Sequence, residues 1–158
     1  MPDTKPSTKR TSTSRKSGNV WTDEERAAMR ESARERKTAS HRSPDQERAE
    51  GLRDVLAKIG QMPQPDRGMA ERIHALVSET APGLVPRTYY GMPAYAKGGK
   101  VICFFQPKSK FKVRYATFAF QPDATIDDGE MFPTAFALIE LTQAAERRIA
   151  ELVKKAMG

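Results

Sequence analysis

Apolar side chains are nearly absent from the first twenty positions and then return with two different periods. From position 22 to about 82 they recur at helical spacing, from 84 to 120 they alternate in short runs, and from 142 the helical spacing resumes. Thr22-Asp23-Glu24-Glu25 has the form of a capping box and predicts a helix to about Thr38. Its apolar content is thin: Ala27, Ala28, Met29 and Ala33, with Trp21 just ahead. Such a helix is either solvent-exposed or weakly attached to a partner surface. Ser43-Pro44-Asp45-Gln46 starts a second helix, with proline at its first position. Ala49, Leu52, Val55, Leu56 and Ile59 form its apolar stripe and Gly60 ends it. A third helix carries Met69, Ile73, Leu76, Val77 and Thr80, and stops at Pro82-Gly83.

The strand region opens with a short run from Arg87 to Tyr90. A second, Ala94 to Lys97, is closed by Gly98-Gly99, a two-residue hairpin signal. In Lys100–Gln106, Val101, Cys103 and Phe105 alternate with Ile102 and Phe104, so both faces are apolar and the strand is central. Pro107 to Lys110 turns the chain. Phe111, Val113 and Tyr115 then share one face of a further strand, and Lys112 and Arg114 the other. Phe118 and Phe120 fall on the opposite parity, which predicts a β-bulge near Ala116–Thr117. Thr134–Ile139 makes a last strand. Thr142 caps a final helix with Ala145, Ile149, Leu152, Val153 and Ala156 inward. Helices, then strands, then one helix argue an α+β fold, an antiparallel sheet of about four to five strands packed by helices. The loops are too short for the crossovers of a parallel sheet.

Length and charge refine this picture. The 158 residues suit one domain plus a tail. Lys and Arg number 27 against 20 Asp and Glu, a net charge of +7. Residues 1–20 hold five bases, one acid, and little else but Ser, Thr and Pro, the composition of a disordered basic tail. The expected organisation is a tail over 1–20, a charged N-terminal helix and linker over 21–47, and an α+β domain over 48–158. No run of ~20 apolar residues provides a membrane span, and no secretory signal is expected. With one cysteine there is no intramolecular disulfide, and a cytoplasmic protein is expected.

Candidate chemistry is sparse. Cys103 sits mid-strand among large apolar side chains, as a buried inert thiol does. His41 and His74 add little material for a zinc site or a catalytic triad. Gly98-Gly99-Lys100 is not a phosphate cradle, because no helix follows it. The expectation is therefore a protein that is not an enzyme.

The most distinctive string is Tyr90-Gly91-Met92-Pro93-Ala94-Tyr95. Gly91 permits a tight turn and Pro93 fixes φ, so two phenols flank a kink between short strands. As a site, Tyr90, Gly91, Met92, Pro93 and Tyr95 would wall a small ligand pocket. Gly91-Met92-Pro93-Ala94-Tyr95, the Gly98-Gly99-Lys100 turn, the Val101-Ile102-Cys103-Phe104-Phe105 strand and the C-terminal amphipathic helix together resemble the YdhG-like, or frataxin-like, family. The resemblance spans about Leu52 to Met157. It implies a two-layer α+β fold and an intracellular iron carrier serving iron–sulfur assembly proteins.

Two charged runs complete the inventory. Asp127, Asp128 and Glu130, following Asp123, offer hard oxygen ligands for a divalent ion or ferrous iron, without the spacing of an EF-hand. Lys97, Lys100, Lys108, Lys110, Lys112 and Arg114 are six bases with no acid among them. With Tyr95 and Phe111 nearby they read either as a solvated outer sheet face or as a surface for nucleic acid. The leading expectation is thus a non-enzymatic carrier or adaptor with iron as cargo. Nucleic-acid or ribosome association through the tail and basic face is the first alternative. A small-molecule domain at the Tyr90–Tyr95 loop is the second.

Overall fold

The computed structural model describes residues 20–158. The expected basic tail falls on residues 1–19, outside the described residues. Ten elements follow one another: α1 (Asp23–Ala39), α2 (Pro44–Gln61), α3 (Asp66–Thr80), β1 (Val85–Tyr89), β2 (Met92–Lys97), β3 (Lys100–Gln106), α4 (Lys108–Phe111), β4 (Ala116–Phe120), β5 (Ala135–Leu138) and α5 (Gln143–Ala156). The strands form one antiparallel sheet in the order β1-β2-β3-β4-β5. The α+β expectation is met, with β3 in the centre as its two apolar faces require. The boundary expected at 47/48 falls inside α2.

The helix starts follow local chemistry. Thr22 and Glu25 exchange the two bonds of a capping box, and so do Ser43 and Gln46. Val55, Ile59, Ile73, Val77, Ile149 and Val153 from α2, α3 and α5 meet Tyr95, Cys103, Phe105, Phe118 and Phe120 from one face of the sheet. That face holds the main core. The opposite face carries the row Arg87, Ala94, Phe104, Ala119 and Ala135, directly opposed across the five strands.

Three expectations are corrected. Residues 111–115 are not a strand: Lys108–Phe111 is a helical turn closed by Lys112 in the left-handed region, φ 53°. The cause is Asp66, almost fully buried, whose two carboxylate oxygens accept from the backbone N–H groups of Lys108 and Ser109 at 3.3 and 3.0 Å. The bulge sits not at Ala116–Thr117 but between Tyr95 and Ala96, where the β2–β3 register slips and leaves Ile102 without a partner. Ile102 and Cys103 therefore both reach the core. On α2, only part of the apolar stripe is inward: Val55 and Ile59 are buried, but Ala49, Leu52 and Leu56 are exposed.

α2 lies so close to β1 that Gly51 has no room for a side chain; a Cβ there would run into the Pro86 carbonyl oxygen. Gly51→Ala is expected to lower stability by about 1–3 kcal/mol, measured by urea unfolding. Gly60→Ala on the same helix, where nothing lies within 4 Å of the added carbon, is expected to gain up to about 1 kcal/mol. Equal effects at the two positions would show that close approach to β1 does not set the outcome.

Candidate functional site

Glu31 and Glu35 stand four residues apart on α1, so they share one helix face. Both meet the turn between β1 and β2. Tyr89 pairs with Met92, which leaves Tyr90 and Gly91 as a two-residue hairpin loop with φ of 51° and 75°. Its two consecutive backbone N–H groups donate to the two oxygens of Glu35, at 2.9 and 2.8 Å. Glu31 sits over Gly91 and pairs with Lys58 of α2 and Lys110 of α4, each at 3.4 Å. A side chain at Gly91 would collide with that carboxylate. Further along, Lys112 pairs with Glu24 at 2.7 Å, and Arg42 lies 2.6 Å from Glu50 and 3.2 Å from Asp54. Buried residues on α1 are only Ala28 and Ser32. Polar contacts rather than a broad apolar stripe hold this helix.

So held, α1 separates two clefts that share Glu35 and Arg87. One, about 300 Å³, lies between α1 and α2. Its charges balance: Glu31, Glu35, Glu47 and Asp54 against Arg34, Arg42, Lys58 and Arg87. The other, about 310 Å³, lies between α1 and β1, the β2–β3 turn and the segment after β4. Arg36, Arg87 and Lys100 line it with Tyr89 and Tyr90, whose rings meet edge to face at 4.7 Å. Gln121 donates to the Tyr89 hydroxyl at 3.4 Å. Burial, then the neighbouring Tyr90, raises the Tyr89 phenol above its ordinary value, so it stays neutral. Lys100 faces Asp123 at 3.7 Å, and Glu35 is held by the turn.

The expected sites are redistributed. Of the string around Tyr90, only Tyr90 lines either of these two clefts; Gly91, Met92 and Pro93 are buried in the hairpin. Tyr95 points to the opposite face, where its buried hydroxyl lies 3.0 Å from Nδ1 of His74 and burial raises its pKa. Cys103, opposite Tyr95 on β3, is buried with its thiol pushed up to about 12. Asp127, Asp128 and Glu130 are all exposed, and among the described residues no three His, Cys, Asp or Glu side chains gather to hold a metal ion.

The six bases do not share a face, because β4 starts only at Ala116. Lys97 and Lys100 flank the β2–β3 turn; Lys108, Lys110, Lys112 and Arg114 follow the far end of β3, roughly 20 Å away. Lys110 and Lys112 are paired with acids of α1, Lys97 donates to the Met157 carbonyl, and Arg114 lies over the Tyr115 ring. What sequence reasoning missed is Glu35. Its signal was the small Ala28 and Ser32 beside Glu31 and Glu35, a face too polar to read as a docking stripe.

Glu35→Ala removes two charge-assisted bonds worth about 1.5–3 kcal/mol each. Hydrogen exchange is expected to quicken across residues 23–39 and leave β2 and β3 protected; uniform loss of protection would contradict a separately held α1. His74 gives a pH signature. Burial lowers its pKa below the ordinary 6.5, so the unfolded chain takes up a proton that the folded chain resists. Its contribution is therefore unimpaired above about 6.5 and declines as pH falls below it. His74→Gln is expected to flatten the pH dependence of the melting temperature between about 6.5 and 5. Comparison with family models, with curated proteins and with solved structures finds no match.

Proposed function

We propose that the chain is a non-enzymatic binding domain, a carrier or adaptor, that takes a small organic anion with a planar ring in the cleft between α1 and the sheet. One observation carries this: Arg36, Arg87 and Lys100 line one cleft with two tyrosine rings and outnumber its two carboxylates, of which Glu35 is bound to backbone N–H groups and Asp123 lies 3.7 Å from Lys100. Cations attract the acid group, and an aromatic wall accepts the ring at small entropic cost. A volume of about 310 Å³ is at the low end for ligand pockets, enough for a single ring system. The cleft between α1 and α2 is a poorer candidate, since its charges cancel. The carrier half of the reading also draws on the YdhG-like resemblance. A binding role rather than turnover fits the inert surroundings of Cys103 and the engagement of His74 with a buried phenol.

Thermal shift against nucleoside monophosphates and aromatic carboxylates tests the proposal. At tenfold excess over Kd a true ligand adds about 1.4 kcal/mol, roughly 4–5 °C for a domain of this size. Arg87→Ala is expected to abolish the shift without lowering the melting temperature of the free protein, because among the described residues the Arg87 head group bonds only the neighbouring Thr88 carbonyl. No shift from either class, or one that survives Arg87→Ala, overturns the reading. Native mass spectrometry of protein taken from its own cells provides the independent check. Iron or a nucleic acid in place of an organic anion would also overturn it.

A further inference from the structure

The two edges of the sheet differ. β1 contains Pro86 and Arg87 and has α2 pressed against it. Among the described residues β5 has no strand on its outer side. Nor does it carry the usual protection of a lysine or an inward charge: from Met131 to Ile139 the sequence has no charged residue. The backbone phase of that edge follows from one bond. Phe120 N–H donates to Thr134 C=O at 2.7 Å, and Phe118 faces Phe136 and Ala116 faces Leu138 in the same register. Those are the hydrogen-bonded pairs of an antiparallel ladder, so Ala135 and Ala137 turn their N–H and C=O groups outward. Both alanines are exposed, and Ile139 beyond them is 67% exposed.

We propose that this edge joins the β5 of a second copy of the chain, antiparallel about a two-fold axis at Ala137. The occupant follows from self-complementarity. With Ala137 facing its own counterpart, Phe136 faces Leu138 of the second copy on the helix-covered side of the sheet. Ala135 faces Ile139 of the second copy on the other side. Every outward N–H of the run finds an outward C=O, and each residue meets one on its own face of the sheet, as a two-fold axis normal to the sheet requires. A shift by one residue would pair core-facing with outward-facing side chains. Glu140, the first charge past the strand, comes opposite Thr134 and meets no like charge. The joined sheet covers Ile139 and continues the core past Phe136.

Sedimentation of the full chain from about 5 to 500 μM is expected to show a reversible dimer in this concentration range, where small interfaces commonly fall. Because the contact is uncharged and each copy carries +7, added salt is expected to strengthen association. Ala137→Pro deletes an N–H that the monomer does not use, a position where edge strands accept proline. It is expected to keep the fold and weaken association at least about tenfold. Mild oxidation of Ala137→Cys is expected to give a disulfide dimer, since facing hydrogen-bonded residues lie about 5.5 Å apart. Ala135→Cys is not, because its counterpart lies roughly 13 Å along the strand. Cys103 is buried and does not interfere. A monomer throughout, a dimer that Ala137→Pro leaves intact, or equal cross-linking through both cysteines overturns the proposal. The cysteine pair decides the matter even if the proline variant fails to fold.

Discussion

The arrangement of this molecule turns on one carboxylate. Glu35 accepts from both N–H groups of the Tyr90-Gly91 turn. Those groups belong to a loop in which a tyrosine occupies the left-handed region, a conformation that side chains larger than glycine adopt reluctantly. A charged acceptor on two adjacent donors offsets that strain and fastens α1 to the sheet. With α1 there, Glu31 crowds Gly91 and excludes a side chain, and two clefts open on either side of the helix. Without it, α1 would retain Ala28 and Ser32 as its buried contacts, too little apolar surface to hold seventeen residues in place.

Asp66 repeats the device elsewhere. Its carboxylate accepts from Lys108 and Ser109 at the start of α4 and bends the chain out of the strand path. Glu24 and Glu31 meanwhile pair with Lys112 and Lys110. Four acids, Glu24, Glu31, Glu35 and Asp66, are thus drawn to backbone donors and to the basic run after β3. Around Tyr89 and Tyr90 the concave surface keeps an excess of cations, Arg36, Arg87 and Lys100 against Glu35 and Asp123.

Legibility in the sequence follows the range of the interaction involved. Capping boxes at Thr22 and Ser43 act over three residues, and both were readable. So were the Gly98-Gly99 hairpin and the two-faced strand Lys100–Gln106, whose signals are turn chemistry and parity. The strand assigned to Phe111–Tyr115 failed because alternation there was real but was overruled by Asp66, 42 residues away from Lys108 in the chain. The site was hidden for the same reason. Tyr90 and Tyr95 stand close in sequence yet face opposite sides of the sheet, while Glu35 reaches Tyr90 across 55 residues. A helix face made of glutamates carries no hydrophobic period, so nothing in the pattern announced that it docks.

The same physics explains why the two ends of the sheet have different characters. β1 lies under a glycine of α2 that cannot be enlarged, and its turn is clasped by α1, so both helices consume the surface around that edge. Each contact there is polar or sterically exact in its demand, and neither helix can reach β5 across five strands, a width of roughly 19 Å at the usual strand spacing. α5 follows β5 after Glu140–Thr142 and packs with α3 on the core face. Among the described residues the outward N–H and C=O groups of Ala135 and Ala137 have no backbone partner. A backbone edge so placed, next to an exposed isoleucine and with no lysine on the strand, presents unpaired bonds and apolar surface together, the two properties that strand addition satisfies at once.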